Sequence, residues 1–206
     1  MGRIMAKLIV YFAHPGQRFS HVNLQMLKSA RTVRDITVVD LYAEYPRFDI
    51  NIDREQKRLL EHDIILFQFP LFWYSTPSII KEWLDLVLEH GFAYGTGGDK
   101  LAGKKMMLAV TAAGPEDAYT PKGYQNHYLR QFLSPLQQTA RLCKMTFLPP
   151  YVLYAALNAP DTDQVAPHVQ GYHRLLSALR DDLLQTPPKG ALDVITYQTL
   201  PLAIEG

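Results

Sequence analysis

Cysteine is nearly missing: Cys143 stands alone among 206 residues. A single thiol cannot form an intrachain disulfide, and a zinc centre built from several thiolates is excluded. That usage fits a reducing, cytoplasmic compartment. An excess of either charge is missing too, since 21 Lys and Arg face 20 Asp and Glu for a formal net charge of +1. No basic field is available to hold nucleic acid. The acidic surface of an electron shuttle that docks by charge is lacking as well. No run approaches the roughly 18 uninterrupted apolar residues of a membrane span, so any membrane association is expected to be peripheral, on the inner face. The apolar stretch from Leu8 to Phe12 is too short for a leader and meets His14-Pro15-Gly16 rather than a cleavage site, so it reads as a first strand. Internal repeats and low-complexity blocks do not occur.

What is present is an ordinary globular balance, 48% hydrophobic and 20% charged, in a chain long enough for one α/β domain with a real core. Short β-branched or aliphatic runs alternate with longer amphipathic stretches. Lys7–Ala13, Asp35–Leu41, Asp63–Phe69, Lys105–Ala112 and Met145–Leu153 read as strands. Between them, helices are expected near His21–Thr32, over Asp53–Glu61 (charged and solvated on most faces), and from Thr76-Pro77, a cap followed by a first-turn proline. Two more are expected over Asn126–Leu142 and Asp163–Leu184, the last with Val165, Val169, Tyr172, Leu176, Leu179 and Leu183 as a core or dimer stripe. This alternation implies a five-stranded parallel sheet with helices on both faces and strand order 2-1-3-4-5. The domain is placed at residues 1–185. Residues 186–206 form an extension, read as a solvated tail, with a reach across a partner subunit as the alternative.

In such sheets ligands bind beyond the carboxyl ends of the strands, where the strand order reverses. Three unusual loops are expected to meet there. The first, His14 to Asn23, enters a helix N-terminus, where free amides and the helix dipole favour an anion; His14, Ser20, His21, Val22 and Asn23 are its candidates. Its bland alternative is that Ser20 merely caps the helix. The second, Leu71-Phe72-Trp73-Tyr74, places three aromatics between prolines and suits a flat, electron-rich ligand, with core or interface packing as the alternative. The third, Thr111-Ala112-Ala113-Gly114, offers small side chains and amides that can approach a ring developing negative charge.

Other chemistries lack their residues. No Gly-Lys-Ser/Thr and no Gly-x-Gly-x-x-Gly follow the first strand, and Gly95 to Lys100 follows a helix and reads as a turn. No Gly-x-Ser-x-Gly elbow occurs. His168 and His173 lack the helical spacing of a zinc pair, and no metal site is expected.

In these loops the chain resembles a known family. Tyr11-Phe12-Ala13-His14-Pro15, Ser20-His21-Val22-Asn23, Phe69-Pro70-Leu71-Phe72-Trp73-Tyr74 and His90-Gly91-Phe92-Ala93-Tyr94-Gly95 resemble the NAD(P)H:quinone oxidoreductase branch of flavodoxin-like flavoproteins. Leu41-Tyr42 through Tyr45-Pro46, Phe48-Asp49-Ile50 and Lys81 to Asp85 sharpen the likeness toward ancillary subunits of bacterial glutathione-regulated potassium-efflux systems. The resemblance implies a flavodoxin-like fold, FMN (alternatively FAD), NAD(P)H as co-substrate, a quinone acceptor, ping-pong transfer and a homodimer. It further implies a potassium/proton antiporter as partner, with a non-catalytic flavin-binding regulatory module as the alternative function. Under it, His14 and Ser20 to Asn23 hold the phosphate and ribityl chain, Leu71 to Tyr74 line the ring, and Thr111 to Gly114 meet its pyrimidine end. Tyr119 takes the place of a charge-relay tyrosine. The companion histidine's place falls on Gln125, with His127 nearby, and Thr111-Ala112-Ala113-Gly114 departs from the family's Thr-Thr-Gly-Gly.

Overall fold

The computed structural model describes residues 5–16, 20–184 and 194–202. Five parallel positions build the sheet in the order β2-β1-β3-β4-β5, with β6 also paired to β4. Strand β1 is Leu8–Phe12, β2 Ile36–Asp40, β3 Ile64–Pro70, β4 Lys105–Thr111, β5 Thr146–Phe147 and β6 Tyr151–Leu153. All five β1 side chains are buried, as a strand covered on both faces requires. They alternate between two cores. Ile9 and Tyr11 face Leu59, Ile79, Ile80, Trp83 and Ala140, whereas Leu8 and Val10 face Val22, Met26, Tyr172 and Leu176.

The helices supplying those faces are α1 Val22–Ala30, α2 Leu41–Glu44, α3 Ile52–Glu61, α4 Ser78–Val87, α5 Leu129–Phe132, α6 Ser134–Leu142 and α7 Val165–Arg180. Helices α1 and α7 cover one face; α3, α4 and α6 cover the other. The expected strand order and two-sided cover therefore hold. The α7 stripe lies largely in the core, with Tyr172, Leu176 and Leu179 buried.

Prolines account for most departures in detail. The single fifth strand expected over Met145–Leu153 is two pieces, and the register against β4 slips by one residue between Lys105↔Thr146 and Ala109↔Tyr151. Pro149 and Pro150 lie at the slip; without N–H groups they cannot continue a ladder. The helix expected over Asn126–Leu142 is likewise two, α6 starting afresh with Pro135 in its first turn. Helix α4 begins one residue later than expected, with Pro77 rather than Thr76 at its N-cap.

Helix α3 is not solvated as expected on its inner side. Glu55 is fully buried, accepts from the Tyr45 hydroxyl at 2.5 Å and Trp83 Nε1 at 3.1 Å, and pairs with Arg58 at 2.5 Å. Trp83 in turn packs on Tyr11 and Phe67, with ring centroids 5.0 and 5.3 Å away.

The solvated-tail reading fails for residues 194–202. Ile195 is buried beside β6: Val152 N–H donates to the Ile195 carbonyl and Ile195 N–H to the Pro150 carbonyl, both at 2.8 Å. Residues 186–193 and 203–206 of the extension lie outside the described residues.

Candidate functional site

At the carboxyl ends of β1, β3 and β4 lies a cleft of about 300 Å³. Of the residues singled out from sequence, His14, Ser20, His21, Val22, Asn23, Leu71, Phe72, Thr111 and Ala113 line it. Gln17, Arg18 and Phe19 of the first loop lie outside the described residues. Trp73, Tyr74, Ala112, Gly114 and Tyr119 do not line it.

Each wall has a local cause. The N-cap position of α1 is His21, not Ser20, and the His21 side chain makes no capping hydrogen bond. The capping alternative for Ser20 therefore has no support, and Ser20 and His21 line the cleft together with Val22 and Asn23 of the first turn, where helix amides favour an anion. Asn23, buried in the first turn of α1, donates from Nδ2 to the Thr111 hydroxyl at 2.8 Å; its carbonyl accepts from Gln68 Nε2 at 2.9 Å. Asn23 Oδ1 is buried with no hydrogen-bond partner. A buried acceptor left unpaired costs about 1–3 kcal/mol, so a ligand hydroxyl there would be stabilising. His14 accepts the Gly16 N–H on Nδ1 at 3.2 Å, which puts the proton of the neutral ring on Nε2. Burial pushes the His14 pKa down, so the ring is neutral at pH 7, and its edge meets Phe72 at 5.8 Å.

The aromatic loop is a tight turn. Phe72 and Ser75 exchange backbone hydrogen bonds at 3.0 and 2.9 Å, and the two residues between them, Trp73 and Tyr74, both have left-handed φ, +47° and +65°. Turns of that kind usually carry Asn and Gly, and bulky residues there are strained. Trp73 is 93% exposed, which removes the core reading for it. Tyr74 is half-exposed and stacks on Phe132 at 5.0 Å. Replacing Trp73 with glycine is expected to change the unfolding free energy of flavin-free protein by no more than about 1 kcal/mol, because relief of the left-handed backbone offsets added chain entropy. Urea denaturation checks this; a loss beyond about 2 kcal/mol would restore a packing role.

Ala112 and Gly114 serve as seams. Ala112 N–H donates to the Leu153 carbonyl and Ala155 N–H to the Gly114 carbonyl, both at 2.8 Å. These bonds bring in the loop after β6, and with it Ala156 and Leu157, cleft residues that sequence reasoning missed. The same topological rule that selected three loops covers the strand-five loop as well, but its residues carry no chemical signal. Pro70 completes the wall. Tyr119 is buried, its ring 6.2 Å from Phe132 and 5.7 Å from Tyr154; burial pushes its pKa up, opposed by a hydrogen bond from the Gly114 backbone. A second groove of about 360 Å³ runs between α4 and α6, starting from Ser75 and Thr76 of the loop after β3. Among the described residues no cluster of His, Cys, Asp or Glu could hold a metal, and no helix is long and apolar enough to cross a membrane.

A parallel 2-1-3-4-5 sheet with an anion-ready helix N-terminus and an aromatic turn at its switch point defines a flavodoxin-like protein. The chain belongs to the family of flavodoxin-like fold, which matches residues 6–176. It is 42% identical over 172 residues to the glutathione-regulated potassium-efflux system ancillary protein KefG of Cronobacter sakazakii, spanning 84% of this chain and 93% of that one. It is 43% identical over 157 residues to an uncharacterized NAD(P)H oxidoreductase, YrkL, of Bacillus subtilis, spanning 76% of this chain and 90% of that one. Among solved structures, general stress protein 14 of Treponema denticola, in complex with FMN, superposes with a TM-score of 0.78 at 33% identity, over 84% of this chain and 99% of that one.

Proposed function

We propose that this chain is a flavin-dependent NAD(P)H dehydrogenase that delivers two electrons to a quinone or similar electrophile by a ping-pong sequence. The observation that carries the reading is the cleft at the strand ends, which the first turn of α1, the start of the aromatic turn and the end of β4 line together through Val22, Asn23, Leu71, Phe72 and Thr111. The FMN held by a relative of similar fold and the NAD(P)H oxidoreductase among its relatives support it.

A bound FMN supplies a ring that accepts two electrons from a nicotinamide and surrenders them to an acceptor. The chain does the rest. The α1 amides and Ser20 would hold the phosphate, with the His14 Nε2 proton available to it, and Asn23 Oδ1 would accept from the ribityl chain. Leu71 and Phe72 would line the ring, with Trp73 and Tyr74 of the rigid turn at its edge. Ala113 keeps the facing wall shallow. FAD, with its extra nucleotide, is the alternative cofactor. Tyr119 holds a proton at neutral pH and can give it to an oxyanion on the acceptor.

The likeness to KefG supports a further role as an ancillary subunit of a cytoplasmic face of a potassium/proton antiporter, and a homodimer is part of the same reading. A non-catalytic regulatory module is the second reading. The two separate in stopped flow. With FMN bound, NADPH or NADH is expected to bleach the flavin absorbance, and a soluble quinone to restore it. A flavin left oxidised by both nicotinamides rejects the enzyme and leaves the module.

A further inference from the structure

Tyr119 is 6% exposed. An enclosed phenol can donate a proton once, but to act again it needs a way back to water. The loop that follows β4 is folded to provide one. After the turn Glu116–Ala118, Gln125 N–H donates to the Ala118 carbonyl at 3.1 Å, and Gly123 N–H to the Thr120 carbonyl and hydroxyl at 3.1 and 2.9 Å. A Cβ on Gly123 would lie 2.3 Å from the Ala118 carbonyl oxygen, so the two limbs close only around a glycine. That closure brings Tyr124 back over Gly114. A Cβ built on Gly114 would stand 2.7 Å from the Tyr124 hydroxyl and 3.6 Å from the Tyr119 hydroxyl. Both phenol oxygens thus lie beside Gly114, without a direct hydrogen bond to each other. Tyr124 differs from Tyr119 in one respect that matters here: it is 68% exposed.

We propose that Tyr124 is a positioning residue that acts through Tyr119, passing a proton from water to it during reduction of the acceptor. The proposal rests on the reductase reading above. A quinone that has received two electrons and one proton, as a hydride equivalent, carries negative charge on one oxygen. The Tyr119 O–H bond breaks and its proton goes to that oxygen, giving the quinol. A water between the two phenols then carries the Tyr124 hydroxyl proton to the Tyr119 oxygen, and Tyr124 recovers one from bulk water. Charge and atoms balance at each transfer. His127 is the competing group. Its Nδ1 lies 3.3 Å from the Gln125 carbonyl of its own loop, and its ring rests on Phe132, which in turn meets the Tyr119 ring.

The test uses FMN-loaded protein with NADPH and a soluble quinone, and flavin-free protein labelled at tyrosine ring carbons. In Tyr124→Phe the first stage, loss of flavin absorbance with NADPH, is expected to stay within about twofold of the parent. The second stage, its return with quinone, slows about tenfold, the size of a general-acid contribution only partly lost. Its pH profile shifts, while His127→Gln leaves both stages unchanged. In flavin-free protein the Tyr119 resonance titrates at a different pH in Tyr124→Phe but not in His127→Gln. An unchanged second stage with an unmoved Tyr119 titration overturns the proposal, as does a slow second stage in His127→Gln alone. If the parent protein shows no first stage, the reductase reading fails, and the relay fails with it as an acceptor chemistry even where the two phenols titrate together.

Discussion

Replacing Glu55 with alanine is expected to lower the unfolding free energy by about 3–5 kcal/mol, as removal of one member of a buried charge pair does. Three groups lose their acceptor at once. Arg58 loses its nearer carboxylate and keeps Glu44 at 3.1 Å, while the Tyr45 hydroxyl and Trp83 Nε1 are left buried without their bonds. Burial and the Glu55 carboxylate together push the Tyr45 pKa up to about 12, so its phenol remains a donor throughout the accessible pH range. Glu55→Gln retains an acceptor oxygen and is expected to cost less than half as much, roughly 1–2 kcal/mol. Urea denaturation of the two variants measures the difference. Equal and small losses would show that the cluster contributes packing alone.

The second large effect is a sensitivity to acid set by His168. The ring is fully buried between Tyr151, stacked at 4.6 Å, and Tyr197, edge-on at 6.5 Å, and neither ring nitrogen has a partner. Burial pushes its pKa down to about 3. Above about pH 6.5 the ring is neutral in both folded and unfolded chains and contributes no pH dependence. Below that, the unfolded chain takes up a proton that the folded chain refuses, so stability falls as pH falls, until the folded ring itself titrates near 3. At about 1.4 kcal/mol per pH unit the loss reaches roughly 3 kcal/mol by pH 4.5. In His168→Phe, which keeps a flat ring on Tyr151, the curve from pH 6.5 to 4.5 should flatten by that amount. Carboxylate titration is common to both proteins and cancels in the comparison. Parallel curves would mean that the imidazole finds water or a partner when protonated.

These two residues also show where the sequence could and could not be read. The sheet order was legible because five aliphatic runs separated by amphipathic stretches leave few connections that are short and right-handed. Glu55 was hidden by its company: among Asp53, Arg54, Lys57 and Arg58 it reads as one more solvated charge, although four residues before Leu59 it falls on the buried stripe. The first loop was legible from Ser20 to Asn23 because short polar residues before a helix have a chemical reason to be there. The contact of Asn23 with Thr111 was not, since it joins α1 to the end of β4 across 88 residues and depends on how the helix sits against the sheet. Trp73 was marked by its type, but its outward, left-handed backbone is a property of the turn that no composition reveals. Ala156 and Leu157 were invisible because their contribution is shape alone.

The rim of the sheet beside β6 has a consequence for how copies of this chain can meet. An open strand edge is a template on which another chain can add itself, and proteins that leave one bare risk growing ribbons. Here the edge is covered at its middle: the Ile195 N–H donates to the Pro150 carbonyl and its carbonyl accepts from Val152, and the two prolines just before β6 have no N–H to offer. A second molecule could not lengthen the sheet at this point without first prying its own counterpart's residue 195 loose. Pairing between copies is therefore steered away from this strand.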